Sequence, residues 1–150
     1  MINEDMVKKI TSDLVSSLKP NKLTLDIAKK LLEKAESKSK EINVPVVIAI
    51  VDDSGNLIAQ HRMDDSLLIS VSLSLNKAYT AVATKLSTEN LYELILPGKP
   101  LYTLENIKNI TAVGGGIPII VNKNIVGAIG VSGGSVEEDI LIAKSALEDI

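Results

Sequence analysis

The sequence predicts an α+β fold: one antiparallel sheet with helices packed on it. Three observations carry that expectation. The apolar, β-branched run VPVVIAIV at Val44–Val51 is followed by the turn Asp52–Asn56 and a returning run. The run Ile117–Val121 is followed by Asn122–Asn124 and a partner run at Ile125–Val131. Hairpins of this kind make antiparallel strands. Around them lie stretches whose apolar residues recur every three or four positions, the period of an amphipathic helix. The order reads helix, hairpin, helix, strands, hairpin, helix.

Taken in order, Asn3–Leu18 reads as a helix, with Met6, Ile10, Leu14 and Leu18 four apart and Val7 beside them. Lys19-Pro20-Asn21 breaks it, because proline disfavours helix in the residue before it. Thr24 is a natural N-cap for a second helix, Leu25–Ile42. Its stripe is Leu25, Ala28, Leu32 and Ala35, with Glu33 and Glu36 on the opposite side. Val44–Val51 is a continuous apolar run, as in a strand covered on both faces, with Pro45 near its start. Gly55 supplies positive φ in the turn, and Leu57–Met63 returns as the second strand.

The segment Ile69–Leu75 alternates like a strand, but its continuation through Ala83 does not. Length without Gly or Pro decides for helix, with a stripe through Leu68, Val71, Leu75, Ala78, Val82 and Leu86. Such a helix suits burial between a sheet and a second partner. Ser87 starts a short helix to Ile95, and Leu96–Tyr102 is a loop with two prolines. Leu104–Val113 reads as a turn and a short strand. Gly114-Gly115-Gly116 leads into the second hairpin. Ser132-Gly133-Gly134-Ser135 leads into a last helix, Val136–Ile150, with the stripe Val136, Ile140, Ala143, Leu147 and Ile150.

Composition narrows the function. At 150 residues, a single domain is expected. With no Phe or Trp and three Tyr, the core must be aliphatic. A net charge of −3 without a basic block argues against a nucleic-acid partner. The absence of Cys excludes disulfides, thiolate catalysis and Cys-ligated metal. No apolar run is long enough to span a membrane, and MINEDMVKKI lacks the apolar region of a signal peptide. A cytoplasmic location is the expectation.

Five motifs in order carry a resemblance: VDDSGNLIAQHRMDDSLLIS, NKAYTAVATKLST, PGKPLY, GGGIPI and GAIGVSGGSVEED. Together they resemble the GlcG-like family, also called haem-degrading or HbpS-like. The nearest branch is the proteins of glycerol and diol utilisation, including the C-terminal domain of PduO. The resemblance covers Leu23–Ile150, with residues 1–20 as a helical extension. It implies a profilin-like fold, a five-stranded antiparallel sheet with helices on its faces, assembled as a homo-oligomer. It also favours helix for Ile69–Leu75. Members are linked to haem and to corrinoid metabolism, so either is a possible cofactor. PduO carries its adenosyltransferase in a separate domain, and that activity is not expected here. Some haem-binding relatives use a histidine on the helix before the first strand. Leu25–Ile42 has none.

The candidate ligand-binding residues start from the join between the second strand and the next helix. His61, the chain's one histidine, can serve as metal ligand or proton carrier; otherwise it is a surface or oligomer-contact residue. Strand alternation puts it with Leu57, Ala59 and Met63, and Arg62 with Ile58 and Gln60. Arg62 beside Asp64 and Asp65 can clamp a carboxylate or form a structural ion pair at the corner. Asp64, Asp65 and Ser66 are natural N-caps for the helix that follows. Lys77 either meets an anionic group in a pocket or snorkels to solvent. The resemblance adds Gly115, Gly116, Ser132, Gly133 and Gly134 as pocket lining; the residues alone point to close backbone approach. Glu137, Glu138 and Asp139 in the last helix's first turn disfavour phosphate there. The acidic residues lack calcium-loop spacing, so no metal site is expected. The leading expectation is an accessory protein binding a small anionic or tetrapyrrole-like ligand, in cobalamin-dependent glycerol or diol metabolism. The alternatives are a small lyase, isomerase or haem-degrading enzyme using His61 as acid/base, and a purely structural oligomer subunit.

Overall fold

The computed structural model describes residues 3–18 and 22–150; the predicted break at Lys19-Pro20-Asn21 lies outside them. The elements are α1 (Glu4–Leu18), α2 (Leu25–Glu41), β1 (Val47–Asp52), β2 (Leu57–Arg62), α3 (Ile69–Thr84), α4 (Thr88–Ile95), a 3₁₀ turn at Leu104–Asn106, β3 (Gly116–Val121), β4 (Asn124–Ser132) and α5 (Val136–Ala146). Among the described residues the sheet has four strands, not five, in the order β2-β1-β4-β3, all antiparallel. The short strand expected within Leu104–Val113 does not form. There the backbone is satisfied by side chains instead of a ladder: Thr111 N–H donates to Thr80 Oγ1 at 2.9 Å and Ala112 N–H to Glu105 Oε1 at 3.2 Å.

Both hairpins close as their residues dictate. Asp52 Oδ1 accepts from the N–H groups of Ser54 and Asn56, each at 2.9 Å, and Gly55 takes φ +79°. Asn122 and Lys123 both have positive φ, the two-residue turn whose twist suits a tight hairpin. Thr24 caps α2, Ser87 caps α4, and Ser135 with Glu138 forms a capping box on α5.

The sheet divides the molecule into two layers. On one face, Val46, Ile48, Ile50, Ile129 and Val131 pack against Ala28, Leu31, Leu32 and Ala35 of α2 and Ile142, Ala143 and Ala146 of α5. On the other, Val51 and Ala128 meet Ala78 and Ala81 of α3. One row across this face runs Gln60, Ala49, Gly130, Gly116, each paired with the next. Past Gln60 it is a floor of small residues, and α3 lies on it. An added Cβ at Gly130 would stand 1.9 Å from the Ser74 carbonyl oxygen, and one at Gly116 2.3 Å from that of Lys77. Helix and sheet backbones touch here.

In two helices the inward face is only part of the expected apolar stripe and takes in a charged residue beside it. The buried side of α3 is Ser70, Ser74, Lys77, Ala78, Thr80 and Ala81, with Leu75 and Val82 packed by Ala78, while Leu68 and Ile69 are exposed, Leu68 at 76%. The buried side of α5 is Asp139, Ile142, Ala143 and Ala146, with Leu147 packed on the core; Val136 and Ile150 are exposed, and the helix ends at Ala146. The two charged residues form an ion pair, described below. The acidic caps expected for α3 are not used either. Leu68 occupies the N-cap without a side-chain bond, Asp65 takes φ +64°, and Ser66 Oγ donates back to the Met63 carbonyl at 2.7 Å.

Candidate functional site

β2 is an edge strand, so residues on both its faces reach one opening. At its end a cleft of about 450 Å³ is lined by Glu36 and Lys40 of α2 and by Gln60, His61, Arg62, Met63 and Asp64. A second depression against Arg62, Met63, Asp64 and Asp65 adjoins it. His61, Arg62 and Asp64 are therefore brought together, as their spacing suggests. His61 pairs across the sheet with Ile48 and faces α2, where its Nδ1 binds a carboxylate oxygen of Glu36. The imidazole is 47% exposed and the carboxylate beneath it 24%. Gln60 points to the opposite layer, its amide donating to Val71 O at 2.7 Å and Ser74 Oγ at 3.0 Å, which ties the edge strand to α3.

The face assignment drawn from simple alternation is corrected at one place. Ile50 pairs with Ala59 and Val51 with Leu57, so Ile58 is the extra residue of a bulge. Ile58 packs with Ala59 and Met63 against the α2 layer, while Leu57 is exposed. The corner ion pair anticipated for Arg62 is absent among the described residues. Arg62, Lys40 and Asp64 are exposed, and no side-chain hydrogen bond or ion pair engages them. Three charged groups thus stand uncommitted around a tethered imidazole.

Lys77 and the glycine turns lie elsewhere. Lys77 is 1% exposed. It neither snorkels nor enters the cleft. Its ammonium donates to Asp139 Oδ2 at 2.8 Å and to the Val131 carbonyl at 2.9 Å. Asp139, itself 3% exposed, accepts the Gly134 N–H at 2.9 Å through its other oxygen. Gly115 lies against this pair: an added Cβ would be 2.5 Å from Val131 O and 3.1 Å from Lys77 Nζ. Gly133 abuts the Pro45 carbonyl and Val46, and Ser132 Oγ bonds Ser70 Oγ at 3.1 Å. These residues form the joint where α3, the end of β4 and the start of α5 meet.

Burial pushes the Asp139 carboxyl above its ordinary 3.8; the Lys77 ammonium and the N–H groups of Gly134 and Gly133 oppose that rise. The folded protein then holds this proton over a range where the unfolded chain has released it. The group's contribution to stability is therefore fully present below 3.8 and declines as pH rises through the folded value. The Asp139 carboxyl ¹³C resonance is expected to titrate with its midpoint above 3.8; a midpoint below it would refute the assignment.

The sequence pattern singles out neither Glu36 nor Asp139. It puts Glu36 on the solvent side of α2, yet Glu36 is four residues from Leu32 and next to Ala35, at the margin of the buried stripe. Asp139 stands three, four and seven residues before Ile142, Ala143 and Ala146, which is core spacing. That spacing was the available signal.

Fold and site together describe a small α+β protein with an aliphatic two-layer core, a charged cleft on an edge strand, and one carboxylate-tethered imidazole within it. The chain belongs to the family described as haem degrading protein HbpS-like, whose model matches residues 23–148. It is 46% identical over 128 residues to a 15.0 kDa protein of the dhaT-dhaS intergenic region of Citrobacter freundii, covering 84% of this chain and 90% of that protein. It is 41% identical over 122 residues to the corrinoid adenosyltransferase PduO of the same organism, covering 80% of this chain but only 36% of PduO. Among solved structures it is similar to a PduOC:haem complex, with a TM-score of 0.83 and 37% identity, covering 86% of this chain and 95% of that one. Among the described residues no helix is long and apolar enough to cross a membrane.

Proposed function

We propose that the protein is a cytoplasmic accessory protein that binds a small anionic or tetrapyrrole-like ligand at the Glu36–His61–Arg62 cleft. The observation that carries this reading is the uncommitted pair of cations, Arg62 and Lys40, lining one cleft with an imidazole whose Nδ1 is already engaged. Guanidinium and ammonium groups at a cleft rim suit carboxylates. For a tetrapyrrole-like ligand the cleft offers a donor and two cations, with Met63 as its one apolar lining residue. His61 would hold its metal through Nε2, and Arg62 and Lys40 would hold its peripheral carboxylates. When bound, such a group supplies a Lewis-acidic metal centre. The likeness to a PduOC:haem complex supports the ligand class, and the likeness to PduO and to the dhaT-dhaS region protein supports a place in cobalamin-dependent glycerol or diol metabolism. Assembly as a homo-oligomer belongs to the same reading, supported by the exposed run Leu67-Leu68-Ile69. Lys77 and the turns Gly115–Gly116 and Ser132–Gly134 have no part in ligand contact in this proposal.

Titration of the purified protein with haemin and with hydroxocobalamin, followed by UV–visible absorption, tests this. A ligand-dependent spectral shift is expected with at least one of them. Arg62→Ala should weaken binding by roughly 10- to 100-fold, the range of a lost charge-assisted hydrogen bond. No shift with either would remove the tetrapyrrole reading.

The Glu36–His61 pair favours one second reading. A carboxylate-oriented imidazole is the arrangement of a general acid/base. His61→Gln would then abolish turnover of a small anionic substrate while leaving its binding nearly intact.

A further inference from the structure

We infer that α1 is an exchange arm. It lies in an apolar groove of a second copy of this chain, between the edge strand β3 and the start of α2, and the second copy's α1 lies in this chain's groove in return. The groove is at the sheet edge opposite the ligand cleft, so the inference does not rest on the ligand proposed above.

α1 carries a face suited to being covered. Met6, Ile10 and Leu14 recur every four residues with Val7 beside them, while Asp5, Lys8 and Lys9 fall outside that stripe. In the single chain the stripe stays in water. Every residue from Asn3 to Val15 is exposed, and Met6, Val7, Ile10 and Leu14 each keep about half of their surface accessible.

Such a helix is poorly stable alone. Solitary helices of this length are marginal in water even when rich in alanine. Over its 15 residues α1 has no alanine and four β-branched residues, Val7, Ile10, Thr11 and Val15. Its local supports are slight. Asn3 Oδ1 accepts the Met6 N–H at 2.8 Å, and the exposed Glu4 and Lys8 pair at 3.1 Å. A persistent α1 therefore calls for a surface to pack on.

The same chain offers an apolar surface that is also bare. A groove of about 420 Å³ is lined by Leu23, Ile27, Ile119, Val121, Val126 and Ile150, with Lys22 as its one charged residue. Leu23, Ile119 and Val126 are its buried floor, and Ile27 and Ile150 are its exposed rims. It stays open on one side because β3 is the last strand of the sheet there.

The position of the arm and the area of the contact favour a second copy as the occupant. Lys22, on the groove wall, comes four residues after Leu18, the end of α1, so the arm is rooted at the groove's own rim. No residue of α1 lines the groove of its own chain. A two-fold axis beside the two roots lays each arm over the other copy's groove, an isologous exchange that covers both stripes and both grooves. A helix of this length is about 22 Å long and 10 Å across. Two reciprocal contacts, counted on both surfaces, cover on the order of 1,000 Å², the least that a specific interface needs; a single contact covers half of that. The family match begins at residue 23, so the arm is added to the shared fold and the exchange leaves that fold unchanged.

The chain has no cysteine, so introduced thiols are the only ones present. Two differently tagged full-length chains, one with Ile10→Cys and one with Ile27→Cys, are co-expressed and treated with a short bismaleimide. A covalent dimer containing both tags is expected. A dimer joined through Ile10→Cys on both sides would mean that arm pairs with arm, and overturns the inference. So does a double variant, Ile10→Cys with Ile27→Cys, that cross-links only within one chain, and so does the absence of any cross-link. Sedimentation equilibrium in a Leu68→Glu background separates this contact from the one assigned above to Leu67–Ile69. There the protein should remain dimeric, and adding Ile10→Glu or Ile27→Glu should weaken the dimer by roughly 10- to 100-fold, the effect of placing a carboxylate in an apolar contact. Both positions are surface-exposed, and circular dichroism checks that the core is folded. A folded Leu68→Glu protein that is monomeric, or a dimer that neither substitution weakens, overturns the exchange while leaving ligand binding at the cleft to be judged on its own.

Discussion

Replacing Lys77 by alanine is expected to cost about 3–5 kcal/mol of folding stability, the range for removing one partner of a buried ion pair. The substitution leaves the Asp139 carboxylate sealed with only the N–H groups of Gly134 and Gly133 against it and strips Val131 O of its Lys77 donor. It also empties the largest fully buried side chain of the molecule's described core. Asp139→Ala should be comparably damaging, because it strands an ammonium. The double replacement Lys77→Met with Asp139→Leu should recover much of the loss, since a buried pair exchanged for apolar groups of similar volume is often neutral. Urea denaturation of the four proteins measures this. A loss below about 1 kcal/mol for Lys77→Ala would mean that the ammonium reaches water.

Gly130→Ala is expected to be the most costly single methyl group in the chain. The added carbon would stand 1.9 Å from Ser74 O and 2.7 Å from Ala78 N, both backbone atoms. No rotamer change relieves that contact, so α3 must lift from the sheet. About 3 kcal/mol or more is the expected loss, at or beyond the upper end for overpacking. Gly114→Ala is the control. Its added carbon would meet Ile140 Cδ1 at 2.6 Å and Val136 Cγ1 at 2.9 Å, flexible side-chain ends that can move. Thermal melts of the pair should separate clearly; equal losses would show that the α3 seat is not rigid.

Much of the architecture could be read from residues. The turns at Asp52–Asn56 and Asn122–Asn124, and the caps Thr24, Ser87 and Ser135, act locally, and local chemistry is what a sequence displays. The inward faces of α3 and α5 could not be read in the same way, and for one shared reason. Stripe reading follows apolar residues and turns charged ones outward. Ala78 and Ala143 of the expected stripes are buried, but Lys77 and Asp139, which satisfy each other across 62 residues, are buried beside them, where a stripe reading alone places no charge. A lone charge in the otherwise uncharged α3 was the visible hint. At the cleft, the cluster His61-Arg62-Met63-Asp64 was legible because it is contiguous. Glu36 was not, because only the packing of α2 on β2 brings it to the ring.

The strand order has a kinetic consequence. Each hairpin, β1–β2 and β3–β4, closes over a few residues, whereas β1 meets β4 only after the whole intervening chain has been gathered in. Loop-closure entropy makes such distant pairing slow relative to hairpin formation. The hairpins are therefore expected to be structured in the folding transition state, and the Lys77–Asp139 joint to form after it. In stopped-flow measurements Lys77→Met should mainly accelerate unfolding and leave the refolding limb nearly unchanged. A slowed refolding limb would place that joint in the nucleus instead. On this order of events, the bond that locks the two halves is the last to be made and the first to govern how long the folded molecule lasts.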